Sequence, residues 1–398
     1  MRPTTQRTGR SSDAWKFVVT IGVLSLFADF TYEGSRSIVG PFLATLNASA
    51  AVVGVVTGFG ELVGYGLRLV SGGLADRTGR FWPIAMLGYV VQMCAVPALA
   101  LAGNWQTAAA LIILERTGKA IRNPPRDTML AHAAQQIGYG RAFGLHEALD
   151  QTGALIGPLA VAGVYALYGD YRHAFAALLL PALICLGLLM LARHFYPHPE
   201  MMEDEAPASK VAGRRYPRAF WIYLAGAGLV AAGFADFPLI AYHFEKTGTL
   251  STTWIPIAYA VAMAVSGSGS LLFGQLFDRV GMRLLIPLTL VGAAFAPLVF
   301  YGGSAAALAG AALWGLGMGV HESLIPAAVG PMVSPQHRAS AYGLFTAGYG
   351  VCWFAGSAVI GILYDHSRAA TVAFCMLLQC AAIPFFLAAC RKASADNA

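Results

Sequence analysis

The sequence predicts an all-α integral membrane protein with twelve spanning helices arranged as two repeated halves. Three observations support this: a low content of charge, apolar runs along the whole chain, and an internal repeat. Of the 398 residues, 57% are hydrophobic and 12% are charged, whereas a soluble domain has roughly 25% charged residues. Water could not solvate so much apolar surface, but the hydrocarbon of a bilayer can.

The apolar runs are near the length of about 20 residues that a helix needs to cross a bilayer. Six runs precede a polar stretch and six follow it. The sequence therefore predicts an N-terminal six-helix bundle at 1–195, a cytoplasmic linker at 196–217 and a C-terminal six-helix bundle at 218–398. In chain order, segments 1 to 12 are 15–46, 50–71, 81–103, 106–134, 141–168, 172–195, 218–244, 252–275, 284–302, 304–333, 339–363 and 369–390.

The loops between these segments alternate in positive charge. Lysine and arginine concentrate in every second loop, which is the pattern of the positive-inside rule and places both termini in the cytoplasm. Topology thus explains the net charge of +6, and nucleic acid is not expected as a partner. The pattern predicts a multi-pass protein of a bacterial inner membrane. The basic loop residues are Arg77, Arg80, Arg141, Lys210, Arg214, Arg215, Arg218, Arg279, Arg283, Arg338, Arg391 and Lys392.

The two halves share short sequences in the same order. Residues 27–30 read FADF, as do residues 234–237, and GGLADRTG at 72–79 is matched by GQLFDRVG at 274–281. A parallel repeat of two six-helix halves is a design of secondary transporters, in which the substrate site lies between the repeats near the bilayer midplane.

The sequence GGLADRTGR at 72–80 resembles the G-x-L-x-D-R-x-G-R signature of the major facilitator superfamily (MFS). Its copy at 274–281 lies in the equivalent loop of the second half, so the resemblance extends over nearly the full chain. Phe81 and Trp82 stand where the family has another basic residue. The resemblance implies the MFS fold, with twelve transmembrane helices in two pseudo-symmetric bundles, and transport by alternating access without a cofactor or a metal.

The resemblance also implies a gate on the cytoplasmic side. In the family these loops hold the halves together in the outward-open state. Asp76 would lie near the start of segment 11, where the helix dipole favours an anion, while Arg77 and Arg80 would meet carboxylates or lipid phosphates. Asp278 and Arg279 are the members in the second half. A solvated loop that only follows the positive-inside rule is the alternative.

Segment 1 carries three ionisable residues at mid-depth, and in the family helices 1, 4, 7 and 10 line the cavity. Such a residue costs about 2.5–3.5 kcal/mol on insertion scales and marks a candidate functional site. Asp29, Glu33 and Arg36 fall within about 60° of one another around a helix. Repulsion between the two carboxylates favours proton binding by one of them, which indicates proton coupling. A structural ion triad that never titrates is the alternative.

Segment 4 carries a stripe of charge. Glu115, Lys119, Arg122 and Arg126 follow one another at i, i+4, i+7 and i+11 and therefore share one helix face, whereas Arg116 is expected to point elsewhere. The guanidinium of Arg122 is a fork that suits a carboxylate or phosphate of a substrate.

The stripe has a second interpretation, as a structural or gating network with the inner end of segment 5. Glu147 and Asp150 lie there and supply the acidic partners. In this interpretation Arg126, Glu147 and Asp150 belong to the cytoplasmic gate.

Segments 7, 10 and 2 carry further charges. Segment 7 has Asp236, the repeat counterpart of Asp29, and segment 10 has His321 and Glu322. Adjacent helical residues lie about 100° apart, so at most one of that pair points squarely into a cavity. Glu61 on segment 2 is interpreted as structural or gate-lining.

Segment 5 contains a series of glycines. Gly144, Gly153, Gly157, Pro158 and Gly163 resemble the family's antiporter motif, G-x8-G-x3-G-P-x3-G, with the last glycine displaced by one. Small residues let membrane helices approach closely, and such packing alone could produce the series. In the family the motif accompanies proton-coupled exporters.

We therefore predict a monomeric transporter, surrounded by lipid, that exports a small organic molecule, anionic or zwitterionic, in exchange for protons. The alternative is a proton symporter or uniporter that takes up an organic anion. An enzyme is disfavoured, because no nucleophile elbow, HExxH or phosphate loop occurs. The predicted proton-coupling residues are Asp29, Glu33, Asp236 and Glu322, and the predicted substrate-binding residues are Arg36, Glu115, Lys119, Arg122 and His321.

Overall fold

The computed structural model describes residues 4–199, 216–329, 332–333 and 338–396, and this part of the chain is helical without strands. Most of the predicted linker, residues 200–215 with Lys210, Arg214 and Arg215, lies outside the described residues. The first half contains α1 Thr4–Thr45, α2 Ala50–Thr78, α3 Phe81–Ala98, α4 Trp105–Ile137, α5 Tyr139–Tyr168, α6 Tyr171–Ala177 and α7 Leu179–Phe195. The second half contains α8 Arg218–Ala232, α9 Phe237–Thr247, α10 Trp254–Val280, α11 Leu285–Ala293, α12 Phe295–Tyr301, α13 Ser304–Gly319, α14 Ile325–Ala327, α15 Arg338–His366 and α16 Arg368–Asp396.

Ten helical stretches of the described chain are long and apolar enough to cross a membrane. One of them, Trp254–Tyr301, has 48 residues, which is enough for two crossings, by α10 and by α11 with α12. The helix α4 is not among these ten stretches, because six of its 33 residues are charged. Its length is nevertheless sufficient to span a bilayer. Ten stretches, the additional crossing and α4 together make the twelve crossings predicted from the sequence.

The seventh segment is broken where the first is continuous. The FADF sequence is helical in α1, whereas residues 233–236 are unwound between α8 and α9. Pro238 follows the second copy at the position where Thr31 follows the first. In a continuous helix the proline ring would collide with the carbonyl of Phe234, so the helix stops and begins again at Phe237.

Side chains from distant helices satisfy the backbone of this break. Trp314 Nε1 donates to the carbonyl of Ala235 at 2.8 Å, and Gln379 Nε2 donates to the carbonyl of Gly233 at 3.3 Å. Unwound backbone is tolerated at membrane depth only where such partners exist. Side chains of α13 and α16 therefore stabilise the break in the second half.

The last glycines of the two repeated loops share a backbone feature. Gly79 and Gly281, the last glycines of the two matched sequences, have φ values of +63° and +69°. Glycine adopts this left-handed region without steric cost, which explains why both copies keep it.

Among the described residues, the chain divides into two compact units. One comprises Met1–Ser35 and Gly66–Ala208, and the other comprises Arg36–Tyr65 and Ser209–Ala398. The division therefore cuts α1 and α2, and we call Arg36–Tyr65 the hairpin tip. The bundle boundaries predicted from the repeat, at 195 and 218, stay a prediction.

The hairpin tip packs against helices of the second half. Both carboxylate oxygens of Asp365, at the end of α15, accept from the first backbone amides of α2, those of Ala50 at 3.0 Å and Ala51 at 2.9 Å. A carboxylate at this position interacts favourably with the helix dipole. Tyr242 of α9 donates to the carbonyl of Ala48 at 3.0 Å, so polar contacts hold the turn of the tip.

Candidate functional site

The charged stripe of α4 begins at a close crossing with α3. Gly88 of α3 and Gly118 of α4 face each other's backbone, and a Cβ added to either would collide with it. Small residues permit this approach between membrane helices. The crossing brings Tyr89 and Gln92 of α3 to the side chain of Arg122.

Arg122 is fully buried, with 0% of its surface exposed. Its Nε donates to Gln92 Oε1 at 2.5 Å, its Nη1 donates to the Tyr89 hydroxyl at 3.1 Å, and its Nη2 lies 3.2 Å from Asp29 Oδ1. Every guanidinium nitrogen thus has a partner on α1 or α3. These partners are not Glu147 or Asp150 of segment 5, so the choice between the two interpretations of the stripe stays open.

Glu115 continues this network about two helical turns before Arg122. Gln92 Nε2 donates to Glu115 Oε1 at 2.8 Å, and Arg116 Nε lies 3.6 Å from Glu115 Oε2. Arg116 also donates to the hydroxyl of Tyr32 on α1. The expectation that Arg116 points elsewhere is therefore wrong, because its long side chain spans the angle that separates it from the stripe.

Lys119 is only half-buried, in contrast to Glu115 and Arg122. Its Nζ lies 3.5 Å from the centre of the Tyr32 ring, a cation–π contact of about 0.5–2 kcal/mol. The carboxylates of Asp29 and Glu33 also interact electrostatically with this ammonium group.

Arg126 forms the inner part of the network. Its Nη2 lies 2.8 Å from Asp127 Oδ1, and its Nη1 lies 3.3 Å from Ser25 Oγ and 3.9 Å from Asp150 Oδ2. His146 joins the same group, with Nε2 2.9 Å from Ser25 Oγ and Nδ1 3.6 Å from Asp150 Oδ2. The structure therefore brings together two predicted gate residues, Arg126 and Asp150.

The other predicted gate residues lie at the surface. Glu147 is exposed and accepts from Gln151 at 2.9 Å. The contact predicted between Asp76 and the start of segment 11 stays a prediction, because the side chains of residues 334–340 lie outside the described part. Asp76, Arg77, Arg80, Asp278 and Arg279 are all exposed.

Arg36 of the hairpin tip organises a second charged cluster. Its Nη2 lies 3.1 Å from Asp236 Oδ1 and 3.4 Å from Glu61 Oε1. Trp353 Nε1 donates to the other oxygen of Asp236 at 3.4 Å. The repeat-related Asp29 and Asp236 thus each pair with an arginine, but these arginines come from α4 and α1.

His321 and Glu322 lie in a π-helical turn, Val320–Leu324, between α13 and α14. Such turns are frequent at functional sites. His321 is buried, with its ring 4.2 Å from that of Phe234, and it bonds to the Tyr349 hydroxyl. Glu322 is exposed, so only one of the adjacent pair is buried.

Sequence reasoning missed several partners in both clusters. Tyr89, Gln92 and Trp353 are neutral, and nothing in their spacing relates them to the charges that they contact. The available signal was Gln92, which is the single amide in the apolar run of segment 3. A buried amide there indicates a polar partner on a neighbouring helix.

Comparison with known proteins identifies the family. Residues 21–357 match the model of the Major Facilitator Superfamily. The chain belongs to this superfamily. The family and the fold of this MFS protein are those of a multi-pass membrane transporter rather than of an enzyme.

Similar proteins cover this MFS chain to different extents. It is 42% identical over 380 residues to "Uncharacterized protein Mb2288" of Mycobacterium bovis, covering 94% of this chain and 93% of that protein. It is 27% identical over 165 residues to "Multidrug resistance protein MdtH" of Cronobacter sakazakii, covering 42% of this chain and 39% of that protein. The solved structure of the peptide transporter POT in complex with sulfate is similar in fold, with a TM-score of 0.72 at 12% identity over 95% of this chain and 94% of that one.

Proposed function

We propose that this MFS transporter exports a small organic molecule, anionic or zwitterionic, across the bacterial inner membrane in exchange for protons. The observation that carries the proposal is the packing of the antiporter-like glycines of α5 on α1. Gly153 and Gly157 meet the backbone of residues 26–34, and a Cβ on either would collide with it. This stretch of α1 carries Asp29 and Glu33, two of the proposed proton-coupling carboxylates.

The two outer glycines of the motif behave differently. An added Cβ would meet no heavy atom within 4 Å at Gly144 or at Gly163. The central pair therefore packs against the stretch of α1 that carries Asp29 and Glu33. The similarity to MdtH, a protein named for multidrug resistance, favours export over uptake.

The proposed coupling uses the two aspartate–arginine pairs. Asp29 with Arg122 and Asp236 with Arg36 each join two helices. A proton on a carboxylate of such a group removes one of its charges and changes how strongly the helices are held. The buried Glu33 and the exposed Glu322 complete the proposed set.

Lys119 is the proposed contact for an anionic group of the substrate. It retains exposed surface, and its ammonium rests on an aromatic ring, a weaker partner than a substrate carboxylate or phosphate. The other proposed substrate-binding residues are Arg36, Glu115, Arg122 and His321.

The direction of transport can be tested in cells. Organic acids, zwitterions and drugs are first screened for compounds that raise the melting temperature of the purified protein. We expect expression of the chain to lower the cellular accumulation of a stabilising compound, and a protonophore to restore it. Lys119→Ala should lose the effect on accumulation. Higher accumulation in expressing cells would contradict export and favour uptake of an organic anion.

A further inference from the structure

The group of polar side chains around Arg126 contains one weakly compensated carboxylate, that of Asp150 on α5. We propose that Asp150, a predicted gate residue, is also a proton-binding site, and that the neutral ring of His146 is the hydrogen-bond partner of both its charged and its protonated form. This inference rests on the proposed proton antiport and adds Asp150 to the carboxylates that take part in it. The residues of the site all lie within one compact unit.

Asp150 is held less tightly than the carboxylates beside it. Its Oδ2 lies 3.9 Å from Arg126 Nη1 and 3.6 Å from His146 Nδ1, and both distances are longer than an ordinary hydrogen bond. Its Oδ1 is buried and has no hydrogen-bond partner among the described residues. The charged form of Asp150 therefore lacks the donors that would replace water, and such surroundings favour the binding of a proton.

The arginine nearest to Asp150 has better partners. Asp127 Oδ1 accepts from Arg126 Nε at 2.9 Å and from Nη2 at 2.8 Å, while Ser25 Oγ accepts from Nη1 at 3.3 Å. Short hydrogen bonds between a guanidinium and a carboxylate are among the strong polar contacts of proteins. Arg126 is therefore engaged mainly by Asp127, and its contact with Asp150 is secondary.

Other titratable groups also act on Asp150. Asp29 and Glu147 repel its negative charge, whereas Arg122 attracts it, but the guanidinium of Arg122 lies 3.2 Å from Asp29. Both arginines near Asp150 thus have a shorter contact with another carboxylate. The titratable groups around Asp150 are Asp29 on α1, Tyr89 on α3, Arg122, Arg126 and Asp127 on α4, and His146 and Glu147 on α5.

His146 can serve both forms of Asp150. Its Nε2 lies 2.9 Å from Ser25 Oγ, and its Nδ1 faces Asp150. A neutral imidazole has one N–H donor and one acceptor nitrogen. When Asp150 is charged, Nδ1–H points to the carboxylate and Ser25 donates to Nε2. When Asp150 is protonated, Nδ1 accepts from the carboxyl and Nε2–H donates to Ser25, so a change of tautomer accommodates the proton.

The position of Asp150 relates its proton to that of Asp29. Gly153 of α5 packs on the backbone of Leu26 and Phe30 of α1, and Asp150 lies one turn before Gly153. In the proposed topology Asp150 is therefore on the cytoplasmic side of Asp29. Because the two carboxylates repel each other, a proton on one favours the charged form of the other. Asp150 is thus placed to receive a proton from Asp29 and to release it inwards, the direction that antiport requires.

The proton on Asp150 can be observed without a substrate, by infrared difference spectroscopy of the purified protein in lipid between about pH 5 and pH 9. Exposed carboxylates stay charged in this range because their pKa values are about 4, so the C=O stretching bands that change belong to buried carboxyls. We expect Asp150→Asn to lose one such band. Asp13→Asn, which changes an exposed carboxylate of the same unit, is the control and should keep them all. An unchanged set of bands in Asp150→Asn would overturn the assignment.

A second variant, Asp127→Asn, tests the site with Asp150 in place. An amide is a weaker partner for a guanidinium than a carboxylate is, so Arg126 can turn to Asp150 and stabilise its charged form. The band that Asp150→Asn removes should therefore be smaller at a given pH in Asp127→Asn than in the wild-type protein. A band of unchanged or larger size would overturn the proposed competition for Arg126.

Transport measurements separate this inference from the export proposal. In proteoliposomes, with a compound chosen by thermal stabilisation, Asp150→Asn should lose accumulation driven by a proton gradient but still exchange labelled for unlabelled compound. Wild-type accumulation in this variant would overturn the role of Asp150 and leave export standing. Loss of exchange together with accumulation would indicate a structural role and would also overturn it. If a proton gradient drives no transport by the wild-type protein, the export proposal fails, whatever the carboxyl bands show.

Discussion

Arg122 and Arg36 are the buried arginines around which the two charged clusters form, one in each compact unit. They pair with the repeat-related Asp29 and Asp236 at 3.2 and 3.1 Å. A buried ion pair adds little net stability, but removing one partner costs about 3–5 kcal/mol because the other charge is left buried and unpaired. Changes at these arginines should therefore have larger effects on folding than changes at exposed cations.

Arg122→Ala is expected to lower the free energy of unfolding by about 3–5 kcal/mol, because Asp29, Gln92 and Tyr89 lose a shared partner. Lys119→Ala is the matched control on the same helix face and should lose no more than its cation–π contact, about 0.5–2 kcal/mol. Denaturation of the two variants in mixed micelles measures the difference. Equal unfolding free energies would contradict the structural role of Arg122.

The sequence located these charges but not their partners. The spacing of Glu115 and Arg122 correctly indicated a shared helix face, since both contact Gln92 of α3. That contact depends on the crossing of α3 and α4 at Gly88 and Gly118. A glycine in an apolar run has many explanations, so the crossing could not be inferred from one sequence.

At the scale of elements, α1 and the α8–α9 pair show what a repeat can and cannot predict. Matching FADF sequences related Asp29 to Asp236, and in the structure each of these aspartates lies beside an arginine. The helix around the second copy is nevertheless broken, and Pro238 was the signal for this break. The contacts of Trp314 and Gln379 with the break come from helices far along the chain, and no local pattern predicts them.

The glycines of α5 give a test at the same scale. Gly157→Ala should force α5 away from α1, because the added Cβ would collide with the carbonyl of Phe30. Overpacking of this kind costs about 1–3 kcal/mol. The variant should have a lower melting temperature and reduced transport.

Gly163→Ala is the matched control in the same helix. Its added Cβ would meet no heavy atom within 4 Å, and alanine is favoured over glycine in a helix by up to about 1 kcal/mol. It should therefore be neutral or stabilising when its melting temperature and transport are compared with those of Gly157→Ala. If the two variants behave alike, the proposed role of the central glycines is wrong.

At the scale of the whole molecule, composition and repeat predicted the class and the twelve crossings, and the superfamily match confirms the resemblance seen in the loop signature. The compact units are different from the predicted bundles, because the hairpin tip belongs to the unit of the second half. Apolar segments have the same composition whichever helix they pack against. The number of helices can therefore be predicted from the sequence. The positions along α1 and α2 at which these helices pass from one compact unit to the other cannot.

Proton antiport is measured most directly in proteoliposomes with an acidic lumen and an alkaline bath, using a compound chosen by thermal stabilisation of the purified protein. An antiporter accumulates the compound in the acidic lumen as protons leave, and a protonophore should abolish this accumulation. We expect that result. Depletion of the compound from the acidic lumen, or equal levels with and without the gradient, would contradict proton-coupled export.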